Sequence, residues 1–140
     1  MNITMEEVRA DVPVTILGLQ GDLDASNFQD LIEFARQAKL QGARFLLLDM
    51  SGTPYMSSAG LVGLHSIAML MRGEKPPNPE SGWEAFHAIK RDVDSGFQKH
   101  VKLLNPQERV SKTLEKSGMV RFFEIYSDRE VALASFKEIA

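Results

Sequence analysis

Apolar and polar positions follow two rhythms along this chain. Ile3, Met5 and Val8 stand among polar neighbours, the weak period-two pattern of an edge strand over Ile3 to Arg9. Asp11-Val12-Pro13 predicts a turn, because proline fixes its own φ and donates no hydrogen bond to a ladder. Val14 to Leu19, β-branched and alternating, predicts a second strand that pairs with the first as a hairpin. Gly21-Asp22-Leu23-Asp24 closes it. The rhythm then lengthens: Phe28, Leu31, Ile32, Ala35 and Ala38 trace one helical face, with Ser26 and Gln29 at capping-box spacing and Gly42 at the end.

The chain is organised around Arg44 to Arg72. Phe45 to Leu48 is a short continuous apolar run, as expected for a strand buried on both faces. A loop from Asp49 to Ser57, punctuated by Gly52 and Pro54, leads into an apolar helical segment, Ala59 to Met71. Ser57 and Ser58 lie at the seam, where either hydroxyl can cap the helix. Unpaired N–H groups and the helix dipole make such a seam a natural anion site. At about 100° per residue, Leu61, Leu64, Ile67, Ala68 and Met71 share the inward arc. Val62, Ser66 and Met69 then cluster on the outer arc. An outer face of small and apolar residues without charge predicts either a docking surface or a face covered by another element of the chain.

Val101 to Leu104 predicts another strand, and Asn105-Pro106-Gln107-Glu108 a helix start that runs to Ser117-Gly118, with glycine at the left-handed end position. Phe122 to Tyr126 predicts the last strand, and Ser127-Asp128-Arg129-Glu130 the start of a last helix reaching Ile139. Strands alternating with helices imply an α/β domain with a mostly parallel sheet, an antiparallel N-terminal strand and helices packed against it.

Composition narrows the function more than the fold. A length of 140 residues suits a single domain, 1–140. The net charge of −3 argues against nucleic acid, which needs clustered Lys and Arg. The absence of cysteine excludes disulfides and thiolate chemistry, and suits a cytoplasmic protein. The N-terminal residues do not read as a signal peptide, and no apolar stretch has the length of a membrane span, so no membrane association is expected. His65, His87 and His100 have no metal-ligand spacing, and the nucleophile elbow, P-loop and dinucleotide fingerprints are absent, so an enzyme is not expected. Asp22 and Asp24 are a weak candidate metal or acid/base pair, with no histidine near them in sequence.

The residues from Asp49 to Leu64 resemble the signature of the STAS domain, best known from bacterial anti-sigma factor antagonists. Asp49 and Ser51 end the strand, Tyr55 and Met56 cross the loop, and Ser57-Ser58-Ala59-Gly60-Leu61 matches the family's Asp-Ser-Ser-Gly-Leu. Gly21-Asp22-Leu23-Asp24 is similar to its Gly-Glu-Leu-Asp box. The resemblance implies a STAS fold and places the family's phosphorylated serine at Ser58, with Ser57 as the fallback acceptor. It implies a partner that is an anti-sigma factor with serine kinase activity, or another STAS protein, with Asp22, Asp24, Val62, Ser66 and Met69 at the contact. ATP belongs to the kinase, so no cofactor is expected. Two positions depart from the pattern: Ser57 replaces an aspartate and Ala59 the second serine. The rival readings are a scaffold subunit of a larger signalling assembly and a small-molecule or lipid module using a cleft near Asp49 to Ser58.

Against that family, residues 73–100 are an insertion. Pro76, Pro77 and Pro79 predict an extended link, and Ser81 with Glu84 a capping box. Trp83, Phe86, Ile89 and Val93 predict one face of an added amphipathic helix, either packed on its own domain or serving as a partner or homodimer contact.

Overall fold

Leucine on both faces of one strand decides the layering. A computed structural model describes residues 1–78 and 82–139 of the chain. Strand β3 (Leu46–Gly52) turns Leu46 and Leu48 into one apolar cluster, and Leu47, with Phe45 just before the strand, into a second on the opposite side. Strand β2 (Pro13–Gln20) divides the same way, Leu17 and Leu19 to one side, Val14 and Ile16 to the other. Residues buried on both faces are the mark of a parallel sheet under two layers.

The sheet has five strands in the order β1-β2-β3-β4-β5. Strand β1 (Asn2–Arg9) pairs antiparallel with β2 across the Pro13 turn, Ile3 opposite Leu19 and Val8 opposite Val14. Strands β2, β3, β4 (Val101–Leu104) and β5 (Ile125–Tyr126) run parallel, with Leu46 opposite Val101 and Leu48 opposite Leu103. Each parallel strand is the neighbour of the one before it, so crossovers of one hand place their helices on one face. Helices α1 (Phe28–Leu40), α2 (Ser58–Met71) and α4 (Glu108–Ser117) accordingly send Leu31, Leu64 and Val110 into the same cluster. Helix α5 (Arg129–Ser135) covers the other face with Ala132 and Leu133, joined by Phe136 from the 3₁₀ turn that follows.

Several boundaries differ from the expectation for identifiable reasons. The strand expected over Phe45 to Leu48 continues to Gly52, since Asp49 still pairs with Gly18 and Leu104. The strand expected over Phe122 to Tyr126 shrinks to two residues. Gly118, at φ 81°, instead leads into a 3₁₀ turn that buries Phe122 and Phe123 in the main core. Ser26 forms no capping box: Asn27 holds the cap position of α1, and the Ser26 hydroxyl donates to Asp24 at 2.6 Å. Asn105 does not cap α4, which starts from Gln107. Asp128, not Ser127, caps α5, its carboxylate accepting from the Val131 N–H at 3.1 Å.

The inserted segment forms helix α3 (Gly82–Asp92), which packs on α2. Pro79 and Ser81, and with Ser81 the expected capping box, lie outside the described residues. The buried side is not the aromatic one. Ala85, Ala88, Ile89 and Val93 face inward, while Trp83, 77% exposed, and Phe86 point outward. The small alanines are turned inward and the bulky rings away.

Candidate functional site

The start of α2 is positioned by a small parallel bridge between Leu23 and Met56. The Leu23 N–H donates to the Tyr55 carbonyl at 3.0 Å, and the Ser57 N–H donates back to Leu23 at 2.9 Å. The bridge ties the Gly21-Asp22-Leu23-Asp24 turn to the loop before α2, so Asp22 and Asp24 lie at the same sheet edge as Ser57 and Ser58, as expected from the sequence. Gly60 is required here for space. A Cβ at that position would overlap Met56 Cγ and stand 3.1 Å from Leu23 Cγ, so a larger residue forces the side chains of the bridge to shift.

Two aspartates are spent on local turns. Asp24 Oδ1 accepts from the Ser26 hydroxyl and from its N–H at 2.9 Å, bonds that hold its carboxyl below the usual range. Asp49 Oδ1 accepts from the Ser51 N–H at 3.0 Å and its hydroxyl at 2.8 Å. Asn27 braces the first turn, donating to the Asp22 carbonyl at 2.8 Å and accepting from the Asp24 N–H at 3.0 Å. The rim is therefore negative and stiff.

Between these carboxylates the two serines have opposite fates. Ser58 is exposed at the first residue of α2. Ser57 holds the cap position, yet its hydroxyl is buried and makes no hydrogen bond. Neither serine caps the helix through its side chain, and the first turn carries no acidic residue. The positive end of α2 is thus left without a side-chain anion beside the one exposed hydroxyl. Of the two expected acceptors, Ser58 is exposed, whereas the Ser57 oxygen is buried.

For the outer arc of α2 the sequence allows a docking surface or a covered face, and Val62 and Ser66 are found buried. Val62 and Ser66 point roughly 160° to either side of the sheet-facing Leu64 direction. They are nevertheless buried, 6% and 1% exposed, and Met69 is half-buried. Helix α3 packs against α2. Ala85 and Ile89 join the same cluster as Val62, and Asp92 accepts from His65 Nε2 at 2.8 Å and from Arg72 Nη2 at 3.1 Å. Arg72 also donates to Gln98 Oε1 at 3.2 Å. Burial pushes the His65 imidazole below its usual value, with Asp92 pulling the other way. Burial works against the charge on Asp92, but the bonds from His65 and Arg72 keep its carboxyl below the usual range. A neutral His65 facing an ionised carboxylate carries its proton on Nε2.

One part of the site had no sequence signal. The start of α4 arrives beside the loop, with Gln107 Nε2 donating to the Ser51 carbonyl at 2.7 Å and the Arg109 guanidinium 4.9 Å from the Tyr55 ring centroid. The pairs are more than fifty residues apart, and only the adjacency of β3 and β4 brings them together. Among the described residues no group of three or more His, Asp or Glu is arranged to hold a metal ion, and no helix is long and apolar enough to cross a membrane.

The fold is shared with solved proteins of low sequence identity. A Thermotoga maritima structure assigned as an anti-sigma factor antagonist superposes with a TM-score of 0.70 at 18% identity, covering 96% of this chain and 94% of that one. An anti-sigma factor antagonist from Mycobacterium paratuberculosis gives 0.63 at 14%, covering 97% and 95%. The unphosphorylated anti-sigma factor antagonist SpoIIAA gives 0.53 at 19%, covering 95% and 96%, and the phosphorylated form of SpoIIAA from Bacillus is also similar. No curated protein sequence matches. The family model for the STAS domain matches residues 4–73, half of the chain, from β1 through the end of α2. The chain belongs to the STAS domain family.

Proposed function

We propose that this protein is an anti-sigma factor antagonist of the bacterial cytoplasm, switched by phosphorylation of Ser58. The unphosphorylated form binds an anti-sigma factor with serine kinase activity and frees the sigma factor. The protein is itself a binding partner, not an enzyme. The observation that carries the reading is the exposed Ser58 hydroxyl at the bare positive end of α2, at the position of the family's phosphoacceptor. Relatives in fold named as anti-sigma factor antagonists support it, SpoIIAA existing in both unphosphorylated and phosphorylated forms.

The mechanism is electrostatic. A phosphate adds about −1.5 to −2 charges at neutral pH. The α2 dipole tolerates that charge, so the fold survives. The Asp22 and Asp24 rim repels it and keeps it projecting outward, where it opposes contact by charge and by desolvation. The partner surface centres on Ser58, Asp22 and Asp24, with Met69 at its margin; Val62 and Ser66, being buried, join only where their cover moves aside. Incubation with an anti-sigma serine kinase and ATP, followed by mass spectrometry of the peptides, places the phosphate on Ser58. Phosphate on Ser57, or on neither serine, contradicts the reading.

A further inference from the structure

The sheet outruns its helices at the end away from Ser58. On the α1 side of the hairpin, Met5 lies opposite Leu17 and Glu7 opposite Thr15, while α1 stops at Leu40. A cleft of about 490 Å³ opens between the hairpin and the turn from α1 to β3. Its apolar lining includes Met5 and Val12, with the almost fully buried Ala38 and Phe45 at its inner margin. Small-molecule sites are typically clefts of roughly 300–1,000 Å³ with apolar walls and a few placed polar groups.

Two polar groups on the lining are without partners among the described residues. Thr15, 8% exposed, spends its backbone N–H on the Phe45 carbonyl at 3.0 Å, but its hydroxyl makes no hydrogen bond. Arg44 pairs with no carboxylate, and its guanidinium lies 5.3 Å from the Phe45 ring centroid. The carboxylate of Glu7, also on the lining, is 3.5 Å from Arg9 Nε and is thereby partly neutralised. A free guanidinium presents two parallel donors, a geometry matched to a carboxylate.

We propose that this cleft binds a small amphipathic carboxylate. The apolar body lies against Met5 and Val12, the carboxylate pairs with Arg44, and the Thr15 hydroxyl supplies a further donor at the floor. The site adjoins the first residues of β2 and β3, whereas Ser58 follows their far ends, so the ligand and a protein partner at Ser58 do not compete. The proposal stands independently of the regulatory reading.

Octanoate titrated into the full chain at pH 7, followed by backbone amide shifts, tests it. The expected result is saturable shifts confined to residues 12–15 and 41–45. Octanol binds about tenfold more weakly, and the exposed change Arg44→Gln weakens octanoate by about tenfold without moving the unfolding midpoint. Octanol binding as well as octanoate, an unchanged affinity in Arg44→Gln, or shifts that never saturate each overturn the proposal.

Discussion

Helix α2 is gripped on two flanks by different physics. On the α1 side the contact is close apolar packing: Gly63 leaves room for Phe28, whose Cβ would stand 3.3 Å from any Cβ placed there, and Leu31, Ala35 and Ala38 carry α1 into the same core. On the α3 side a thin strip of alanine and isoleucine is supplemented by one carboxylate, Asp92, shared between His65 and Arg72. The first grip lies within the family match, which ends at residue 73; the second belongs to the insertion. Packing holds regardless of protonation, whereas a grip made of an imidazole, a carboxylate and a guanidinium is open to titration. The difference teaches that α2 meets the family's own helix through packing and the inserted one partly through groups that titrate.

The widest gap between the flanks comes from truncating each. Leu31→Ala empties a fully buried position of α1 and is expected to cost about 2–5 kcal/mol of global stability, read from the urea midpoint. Asp92→Ala leaves buried His65 without its partner and costs about 1–3 kcal/mol, felt mainly as faster amide exchange in α3. An Asp92 change that speeds exchange throughout the sheet would erase the distinction. The smallest effect is that of pH. Burial lowers the His65 pKa in the folded protein relative to the ordinary 6.5, so the unfolded chain binds the proton more readily. Its contribution to stability is therefore complete above about 6.5 and is lost as pH falls below that value. Asp92, Arg72 and Glu74 are the charges that face it. His65→Gln should flatten this slope while leaving the part due to His100, whose pKa burial also lowers. Equal slopes in the two proteins would place the titration elsewhere.

How much of this was legible in the sequence depended on whether the signal was local. The hairpin, the buried strand at Phe45 to Leu48 and the helix face through Leu31 and Ala35 follow from period and turn chemistry. The approach of Asp22 and Asp24 to Ser58 followed from reading two short motifs together. The aromatic run at Phe122 to Tyr126 misled, since a short apolar stretch suits a buried 3₁₀ turn as well as a strand. The orientation of α3 misled too. Trp83 and Phe86 share a helical face with Ile89 and Val93 by spacing, but the side that is buried is the one carrying Ala85 and Ala88. Whether the outer arc of α2 was free or covered was left open by the sequence, because its neighbour across the fold lies in a segment with its own pattern. The different exposures of Ser57 and Ser58, adjacent and chemically alike, depend on the bridge between Leu23 and Met56.

The central claim is that a negative charge at Ser58 breaks a partner contact without breaking the fold. Its most direct test is calorimetric titration of Ser58→Asp against the anti-sigma kinase that binds the wild-type protein, alongside thermal unfolding of both forms. The account predicts a loss of affinity of about tenfold or more with an unchanged unfolding midpoint. Binding as tight as wild type, with the same midpoint, would contradict it.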